Sequence, residues 1–193
     1  MMAKRAVFFD RDGVLNLAEV KDGRPYPPKD AASVVITPGA PALLTELREL
    51  DFLLIAVTNQ PDVARKTKTE AEVTAINDRI RFELALNDLF VCLHDNPDNC
   101  QCRKPKPGML LAAAAKWKLD LPSCWMVGDR AGDIGAGRSA GCRTIFIDYD
   151  YAEPKPAPPA DYTCPSLNQA VAIINEVTVH HESFSRFKGQ IIR

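Results

Sequence analysis

The sequence predicts an α/β fold in which helices cover both faces of a mainly parallel central sheet. Short apolar runs alternate along the chain with segments of helical spacing, and the runs end in polar turns. The length of 193 residues, with 46% hydrophobic and 25% charged residues, is typical of one globular domain. We therefore expect a three-layer, Rossmann-like sandwich.

The predicted elements follow one another in strand–helix order. Apolar and β-branched runs predict strands at residues 5–9, 52–57, 89–91, 124–127 and 144–147. Helical spacing and capping residues predict helices at residues 39–50, 70–86, 109–117, 133–140 and 166–177. Thr69 and Glu72 form the capping box of the second helix. Two proline-rich segments, residues 17–38 and 152–161, are predicted to be loops.

The domain organisation and charge of the chain are simple. Residues 1–177 are predicted to form a single domain, followed by a tail of unknown role at residues 178–193. The formal net charge is −1, which gives no general attraction to nucleic acid or to an anionic membrane. No run approaches the ~20 apolar residues of a membrane-spanning helix, and no signal peptide precedes the first strand. We therefore expect a cytoplasmic monomer with reduced cysteines, and neither nucleic acid nor membrane as a partner.

Acidic side chains follow two of the predicted strands. Asp10 and Asp12 come directly after the first strand, and Asp129 and Asp133 follow the strand at 124–127. Taken alone, Asp10 and Asp12 are better explained as a surface turn, and Asp129 or Asp133 could simply cap a helix. Because the carboxyl ends of parallel strands meet at one edge of a sheet, both pairs are expected to lie there together. Such an oxygen-rich cluster is typical of a magnesium site.

Two further segments at the same edge suit a phosphate group. Thr58 and Asn59 follow the second predicted strand and offer a hydroxyl and backbone amides. Residues 103–107 place three cations on a loop that contains two prolines, and these cations could offset charge on a phosphoryl group. Taken alone, the first segment is better explained as an ordinary turn and the second as a solvated basic loop.

The loop at residues 92–102 has the composition of a zinc site. Cys92, His94, Cys100 and Cys102 supply three thiolates and one imidazole, the complete ligand set of a closed tetrahedral structural site. A disulfide and unligated thiols are the alternatives, and the expected cytoplasmic compartment argues against the disulfide. Zinc would fix the loop that leads into Arg103 and Lys104.

Four motifs in order resemble those of the haloacid dehalogenase superfamily of phosphatases. They are Phe8-Phe9-Asp10-Arg11-Asp12-Gly13-Val14-Leu15-Asn16, Val57-Thr58-Asn59-Gln60, Cys102-Arg103-Lys104-Pro105 and Val127-Gly128-Asp129-Arg130. The cysteine-rich loop resembles the branch that contains heptose bisphosphate phosphatases and histidinol-phosphate phosphatase domains. The resemblance covers about residues 5–177 and implies a capless haloacid dehalogenase fold.

The resemblance implies a role for each acidic residue. Asp10 would be the nucleophile that forms an aspartyl phosphate, and it would also bind Mg²⁺. Asp12 would protonate the leaving oxygen, then activate water, and its backbone carbonyl would bind Mg²⁺. Asp129 would complete the protein ligands of Mg²⁺, with Asp133 behind them.

The same resemblance implies a set of substrate-binding residues. Thr58 and Lys104 would hold the transferring phosphoryl group, together with Asn59 from the second motif. Arg103 and Arg130 match positions that contact the rest of the substrate. The expected partner is therefore a small phosphorylated molecule.

The resemblance favours a sugar phosphate, such as D-glycero-D-manno-heptose 1,7-bisphosphate, as the substrate. Residues 107–111 and 63–65 follow the heptose pattern, whereas Pro61 and Asp62 depart from it and the zinc loop is short, as in the histidinol type. Histidinol phosphate is thus the alternative substrate. A non-catalytic, zinc-stabilised binding module is the alternative of another class, although such a module has no need of the complete acidic and basic set.

Overall fold

The computed structural model describes residues 4–190, and for residues 181–190 it describes the backbone alone. Eight strands are present in this part of the chain: β1 (Arg5–Phe9), β2 (Glu19–Lys21), β3 (Arg24–Tyr26), β4 (Phe52–Asn59), β5 (Asp88–Cys92), β6 (Trp125–Gly128), β7 (Arg143–Ile147) and β8 (Tyr162–Cys164). Five α-helices accompany them: α1 (Ala40–Glu49), α2 (Glu70–Glu83), α3 (Gly108–Trp117), α4 (Ala131–Ala140) and α5 (Leu167–Gln190).

Six of the strands form one parallel sheet in the order β5-β4-β1-β6-β7-β8. Every pairing within it is parallel, so all of these strands end at the same edge. The central strands are buried on both faces, which explains why their sequences are continuous apolar runs rather than alternating ones. The α/β sandwich with a mainly parallel sheet, predicted from the sequence, is confirmed.

The two faces of the sheet are covered by two separate cores. Val7 and Phe9 of β1 point into a core shared with α1, α2 and α5. Ala6 and Phe8, the alternate residues of the same strand, point into a second core shared with α3 and α4. This alternation follows from the pleat of a β-strand, and it gives the molecule three layers.

Helix α2 begins at the capping residues that the sequence predicts. Thr69 Oγ1 accepts a hydrogen bond from the backbone N–H of Glu72 at 3.2 Å, and the Glu72 carboxylate accepts one from the Thr69 N–H at 2.7 Å. The capping box predicted for α2 is therefore confirmed.

None of the helices within the described part of the chain is both long and apolar enough to cross a membrane.

The sequence-based prediction missed a hairpin and an edge strand and ended the last helix too early. Residues 17–38 are not a loop throughout, because β2 and β3 form an antiparallel hairpin there. Its turn contains Asp22 and Gly23, both at positive φ, which is an ordinary hairpin signal that the surrounding prolines obscured. The short edge strand β8 was not predicted. The last helix continues past residue 177 to Gln190, so most of the predicted tail extends α5.

Candidate active site

Asp10 lies at the carboxyl end of the central strand β1. Its backbone N–H donates to the carbonyl of Val127 at 2.9 Å, which joins the ends of β1 and β6. The whole residue is 7% exposed and forms part of the wall of a cavity of about 450 Å³. Burial raises the pKa of Asp10 to about 6; Lys104 opposes this effect, and Asp133 and Asp12 add to it.

Lys104 is buried beside Asp10 and is held at both its side chain and its backbone. Its Nζ lies 2.7 Å from Asp10 Oδ1 and 2.6 Å from Asp133 Oδ1, and it also donates to the carbonyl of Val57 at 2.7 Å. Burial opposes protonation, but the two carboxylates raise the pKa of Lys104, so the ammonium stays charged. Asn59 donates to the Lys104 carbonyl at 3.0 Å and accepts from its N–H at 3.1 Å.

Asp12 is held by a buried polar network. Arg11, which has no exposed surface, donates to both oxygens of Asp12, at 3.1 Å from Nε and at 2.7 Å from the terminal nitrogen. Asn16 donates to the same carboxylate at 3.1 Å and Gln60 at 2.9 Å. Burial alone would raise the pKa of Asp12, but Arg11 and the two amides outweigh it and lower the pKa. The carboxylate therefore has a fixed orientation.

Asp129 completes a cluster of three buried carboxylates. Oxygens of Asp10, Asp129 and Asp133 lie within 4.8 Å of one another. Among the described residues neither carboxylate oxygen of Asp129 has a hydrogen-bond partner, and burial together with Asp10 and Asp133 raises the pKa of Asp129 well above the ordinary value. Two orphaned oxygens in a group of hard oxygen donors are the environment that a divalent cation such as Mg²⁺ satisfies. The residues present therefore fit the predicted magnesium site.

Glycine at position 13 leaves room for this cluster. A Cβ at Gly13 would lie 2.1 Å from Asp129 Oδ2, and the residue has a φ of +91°. Both the contact and the backbone conformation therefore require glycine. The Asp-x-Asp-Gly turn thus brings Asp129 against the loop that follows β1.

The remaining residues predicted to contact substrate also line the cavity. Thr58 is 1% exposed, and its hydroxyl accepts a hydrogen bond from Gln60 at 2.9 Å. Arg103 pairs with Asp95 at 3.4 Å, and Arg130 pairs with Glu153 at 3.3 Å. The lining also includes residues that sequence reasoning did not select: Arg24, Pro25, Tyr26, Pro27, Gln60, Pro61, Asp62, Arg65 and Glu153.

The structure brings the four predicted zinc ligands together. The sulfur of Cys102 lies 3.1 Å from Cys92 Sγ and 3.4 Å from Cys100 Sγ, and His94 Nδ1 lies 3.3 Å from Cys102 Sγ. All six cysteines are free thiols, so the alternative disulfide is absent. A tetrahedral site with zinc–sulfur bonds of ~2.3 Å separates its sulfurs by about 3.8 Å, so small adjustments would complete it.

The zinc loop is tied to the cavity through Arg103. The Arg103 side chain donates to the His94 carbonyl at 3.2 Å and to Asn96 Oδ1 at 2.8 Å. Asp95 pairs with Arg103 and also accepts from Arg65, with the shorter hydrogen bond at 2.7 Å. Residues 94–96 of this loop therefore fix the guanidinium groups of Arg65 and Arg103, which both line the cavity.

Comparison with known proteins agrees with this fold and identifies the family. The family model for HAD-hydrolase-like proteins matches residues 101–170. D-glycero-beta-D-manno-heptose-1,7-bisphosphate 7-phosphatase of Pseudomonas aeruginosa is 31% identical over 151 residues, covering 76% of this chain and 82% of that protein. The Vibrio cholerae protein of the same name is 34% identical over 158 residues, covering 76% and 82%.

A solved structure agrees with the sequence comparison. The D,D-heptose 1,7-bisphosphate phosphatase of B. bronchiseptica, complexed with magnesium and phosphate, superposes with a TM-score of 0.73 at 27% identity. That match covers 90% of this chain and 98% of the other. The fold and the acidic site thus define a HAD-like hydrolase. The chain belongs to the family of HAD-like phosphatases that contains the heptose-1,7-bisphosphate 7-phosphatases.

Proposed function

We propose that this protein hydrolyses a sugar bisphosphate through an aspartyl phosphate formed on Asp10, with Mg²⁺ as cofactor. The observation that carries the proposal is the Asp10 carboxylate, which lines the cavity and contacts the Lys104 ammonium at 2.7 Å. It also lies within 4.8 Å of an oxygen of Asp129, whose two carboxylate oxygens lack hydrogen-bond partners among the described residues. The relatives named for heptose 1,7-bisphosphate support the substrate class. The magnesium and phosphate in the B. bronchiseptica structure support the cofactor.

Asp10, Asp129 and the backbone carbonyl of Asp12 would hold Mg²⁺, and Asp133 would support them from behind through Lys104. The bound cation would offset the negative charge of the phosphate and of the carboxylates around it. Lys104 contributes a second, permanent positive charge beside Asp10. Together they reduce the repulsion between an anionic nucleophile and an anionic substrate.

The reaction would proceed in two displacements. A carboxylate oxygen of Asp10 attacks phosphorus, the bond from phosphorus to the sugar oxygen breaks, and Asp12 gives its proton to that oxygen. A water molecule then loses a proton to Asp12 and attacks the aspartyl phosphate, which releases inorganic phosphate and restores Asp10. Thr58 and Lys104 hold the phosphoryl oxygens during both steps.

Asp12 must be protonated for the first step and ionised for the second. In the free protein Arg11, Asn16 and Gln60 keep its pKa low. A phosphate dianion bound beside Asp12 raises that pKa, because a like charge disfavours the ionised carboxylate. The network therefore fixes the orientation of Asp12, and the substrate itself favours the protonated form that donates to the leaving group.

Arg103 and Arg130 would bind the part of the substrate that leaves. Asn59 would act on the transferring phosphoryl group indirectly, through Lys104. The side-chain amide of Asn59 is engaged with the backbone of Lys104, so it supports the position of the ammonium. A structural zinc ion on Cys92, His94, Cys100 and Cys102 would hold the loop that carries Arg103. The monomeric state and the cytoplasmic location stay predictions.

Phosphate release from a panel of esters in the presence of Mg²⁺ tests this function. The panel contains heptose 1,7-bisphosphate in both anomers, histidinol phosphate and simple sugar monophosphates. The expected result is a kcat/KM of about 10⁴ M⁻¹s⁻¹ or more on one heptose anomer and lower values elsewhere. Preference for histidinol phosphate would support the alternative substrate, and a folded, metal-loaded protein without activity would support the non-catalytic module.

A further inference from the structure

Four arginines line the cavity, and three of them are already paired with carboxylates. Arg65 and Arg103 both contact Asp95, and Arg130 contacts Glu153. Arg24 is different, because its side chain forms no ion pair or hydrogen bond within the described part of the chain. An unpaired guanidinium in the lining of the cavity is available to a ligand anion, whereas Arg103 and Arg130 would bind the substrate while they also share their charge with a carboxylate.

The backbone around Arg24 is fixed even though its side chain is exposed. The carbonyl of Gly23, before it, accepts from the N–H of Ala152 at 2.8 Å. The carbonyl of Pro25, after it, accepts from the Arg130 side chain at 2.7 Å. Pro25 is buried, and its ring restricts φ. These contacts hold the hairpin of β2 and β3 against the segment that carries Glu153.

We infer that Arg24 is a specificity-determining residue that binds a second phosphate group of the substrate, remote from the phosphate that Asp10 attacks. The inference rests on the proposed function, and it assigns a residue to the selectivity for bisphosphates. The cavity of about 450 Å³ is large enough for a sugar with two phosphates. A planar guanidinium forms two parallel hydrogen bonds with a phosphate, so Arg24 suits this group better than a neutral hydroxyl.

The charges around Arg24 are consistent with this assignment. Asp62 and Glu153 also line the cavity, but Glu153 is paired with Arg130 and Asp62 lies near Arg65. Neither carboxylate comes within ion-pair distance of Arg24 in the described residues. Arg24 therefore has no carboxylate within 4 Å among the described residues, and a phosphate of the substrate would supply the missing partner.

The test compares a bisphosphate with the monophosphate that carries the same reacting phosphate group. In Arg24→Gln the ratio of kcat/KM for the bisphosphate to kcat/KM for the monophosphate is expected to fall about 10- to 100-fold, mainly through KM, since a charged hydrogen-bonding partner is lost. Arg24→Lys should recover part of the ratio because it keeps the charge. Lys21→Gln, at the cross-strand position of the same hairpin and outside the cavity, should leave the ratio unchanged.

Ligand binding separates this inference from the proposed function. Calorimetry with the same two esters is done on Asp10→Asn alone and on Asp10→Asn combined with Arg24→Gln. The expected result is a loss of bisphosphate affinity of 10-fold or more, estimated as about one charged hydrogen bond, with monophosphate affinity nearly equal in the two proteins. If the wild-type protein binds the bisphosphate selectively but hydrolyses neither ester, the proposed function is wrong and the role of Arg24 stands. An equal change for both esters, or none, would overturn the role of Arg24.

Discussion

The ammonium of Lys104 lies 2.7 Å from Asp10 Oδ1 and 2.6 Å from Asp133 Oδ1. It therefore bridges a carboxylate at the end of β1 and another in the first turn of α4. Both carboxylates and the lysine are almost completely buried. One cation thus holds together two acids that would otherwise repel each other in a medium where charge interactions are strong.

Replacement of the nucleophile should abolish turnover without unfolding the protein. In Asp10→Asn the amide has nearly the same shape but is a poor nucleophile, so kcat is expected to fall by about 10³-fold or more. Phosphate release measures the loss, and circular dichroism with thermal unfolding checks the fold. Asp22→Asn is the matched control, because Asp22 is exposed and asparagine tolerates its positive φ. Activity close to wild type in Asp10→Asn would contradict the covalent mechanism.

Loss of the buried ammonium should affect both stability and catalysis. Lys104→Met leaves Asp10 and Asp133 without their shared cation, which is expected to cost about 3–5 kcal/mol of unfolding free energy in the absence of metal. The kcat should fall by about 10²-fold or more, because the phosphoryl group loses a charged partner. Denaturant unfolding with and without Mg²⁺ measures the first effect.

Lys29→Met is the control for Lys104, since Lys29 is exposed and its side chain takes no part in the site. Mg²⁺ should restore part of the stability of Lys104→Met, because the cation binds the same carboxylates in the folded state only. Equal stability of Lys104→Met and wild type without metal would show that the carboxylates do not depend on the ammonium.

Much of the sheet and the acidic site could be predicted from the sequence. Strand β1 reads as an apolar run because it is buried on both faces, and the parallel topology then brings Asp10 and Asp129 to one edge. These features depend on local pattern and on a general rule of parallel sheets. The cluster of three cysteines and one histidine could also be predicted, because its four members lie within one loop.

Other features depend on contacts between distant segments, which a local pattern does not reveal. Arg11 could be placed in a motif, but its complete burial against Asp12 and Asn77 requires α2 to pack over that turn. Asn59 could be placed near phosphate, yet its amide is used by the backbone of Lys104, 45 residues away. Arg24 could not be selected because only the folded hairpin directs it to the cavity.

The zinc site should be lost when one of its thiols is replaced. Metal analysis of carefully purified protein is expected to give about one zinc ion per chain in the wild type and much less in Cys100→Ser. The melting temperature and kcat/KM should both fall, because the loop supports Arg103 and Lys104. Cys142→Ala removes a cysteine outside the loop and should keep its zinc. A zinc-free preparation with full stability and activity would contradict the structural role.

Asp88 should stabilise the fold in a pH-dependent manner. Burial alone would raise the pKa of Asp88, but hydrogen bonds from Lys116 and Trp117 outweigh it and lower the pKa. A carboxyl with a lowered pKa in the folded state contributes stability above its unfolded pKa of ~3.9, and the contribution is lost as the pH falls through the folded value. The predicted window therefore lies below about pH 4.

Asp88→Asn tests this dependence by urea unfolding at several pH values. The variant should be less stable than wild type by about 1 kcal/mol at pH 7, because it loses a charged hydrogen-bonding partner. The difference should shrink as the pH falls below about 4. Asp78→Asn, on an exposed position of α2, should show no such trend. A difference that is constant from pH 7 to pH 3 would mean that the charge of Asp88 contributes nothing.

A comparison of two glycines at positive φ can distinguish the effect of backbone strain from the effect of crowding at Asp129. Gly13 has a φ of +91° and a Cβ there would lie 2.1 Å from Asp129 Oδ2, whereas Gly141 has a φ of +85° and nothing within 4 Å. The left-handed backbone alone should cost about 1 kcal/mol of stability when alanine is placed at either position, and the contact with Asp129 adds to this cost only at position 13. Only Gly13→Ala should also displace Asp129.

Gly13→Ala should therefore need a much higher Mg²⁺ concentration for half-maximal activity, by about 10-fold or more, as expected when a metal ligand is displaced. Paramagnetic resonance of bound Mn²⁺ measures the same loss of affinity without turnover. Gly141→Ala should match wild type in both measurements while it shares the loss of stability. Equal metal affinity in the two variants would mean that Asp129 moves aside at no cost, and that the close approach of Gly13 does not shape the metal site.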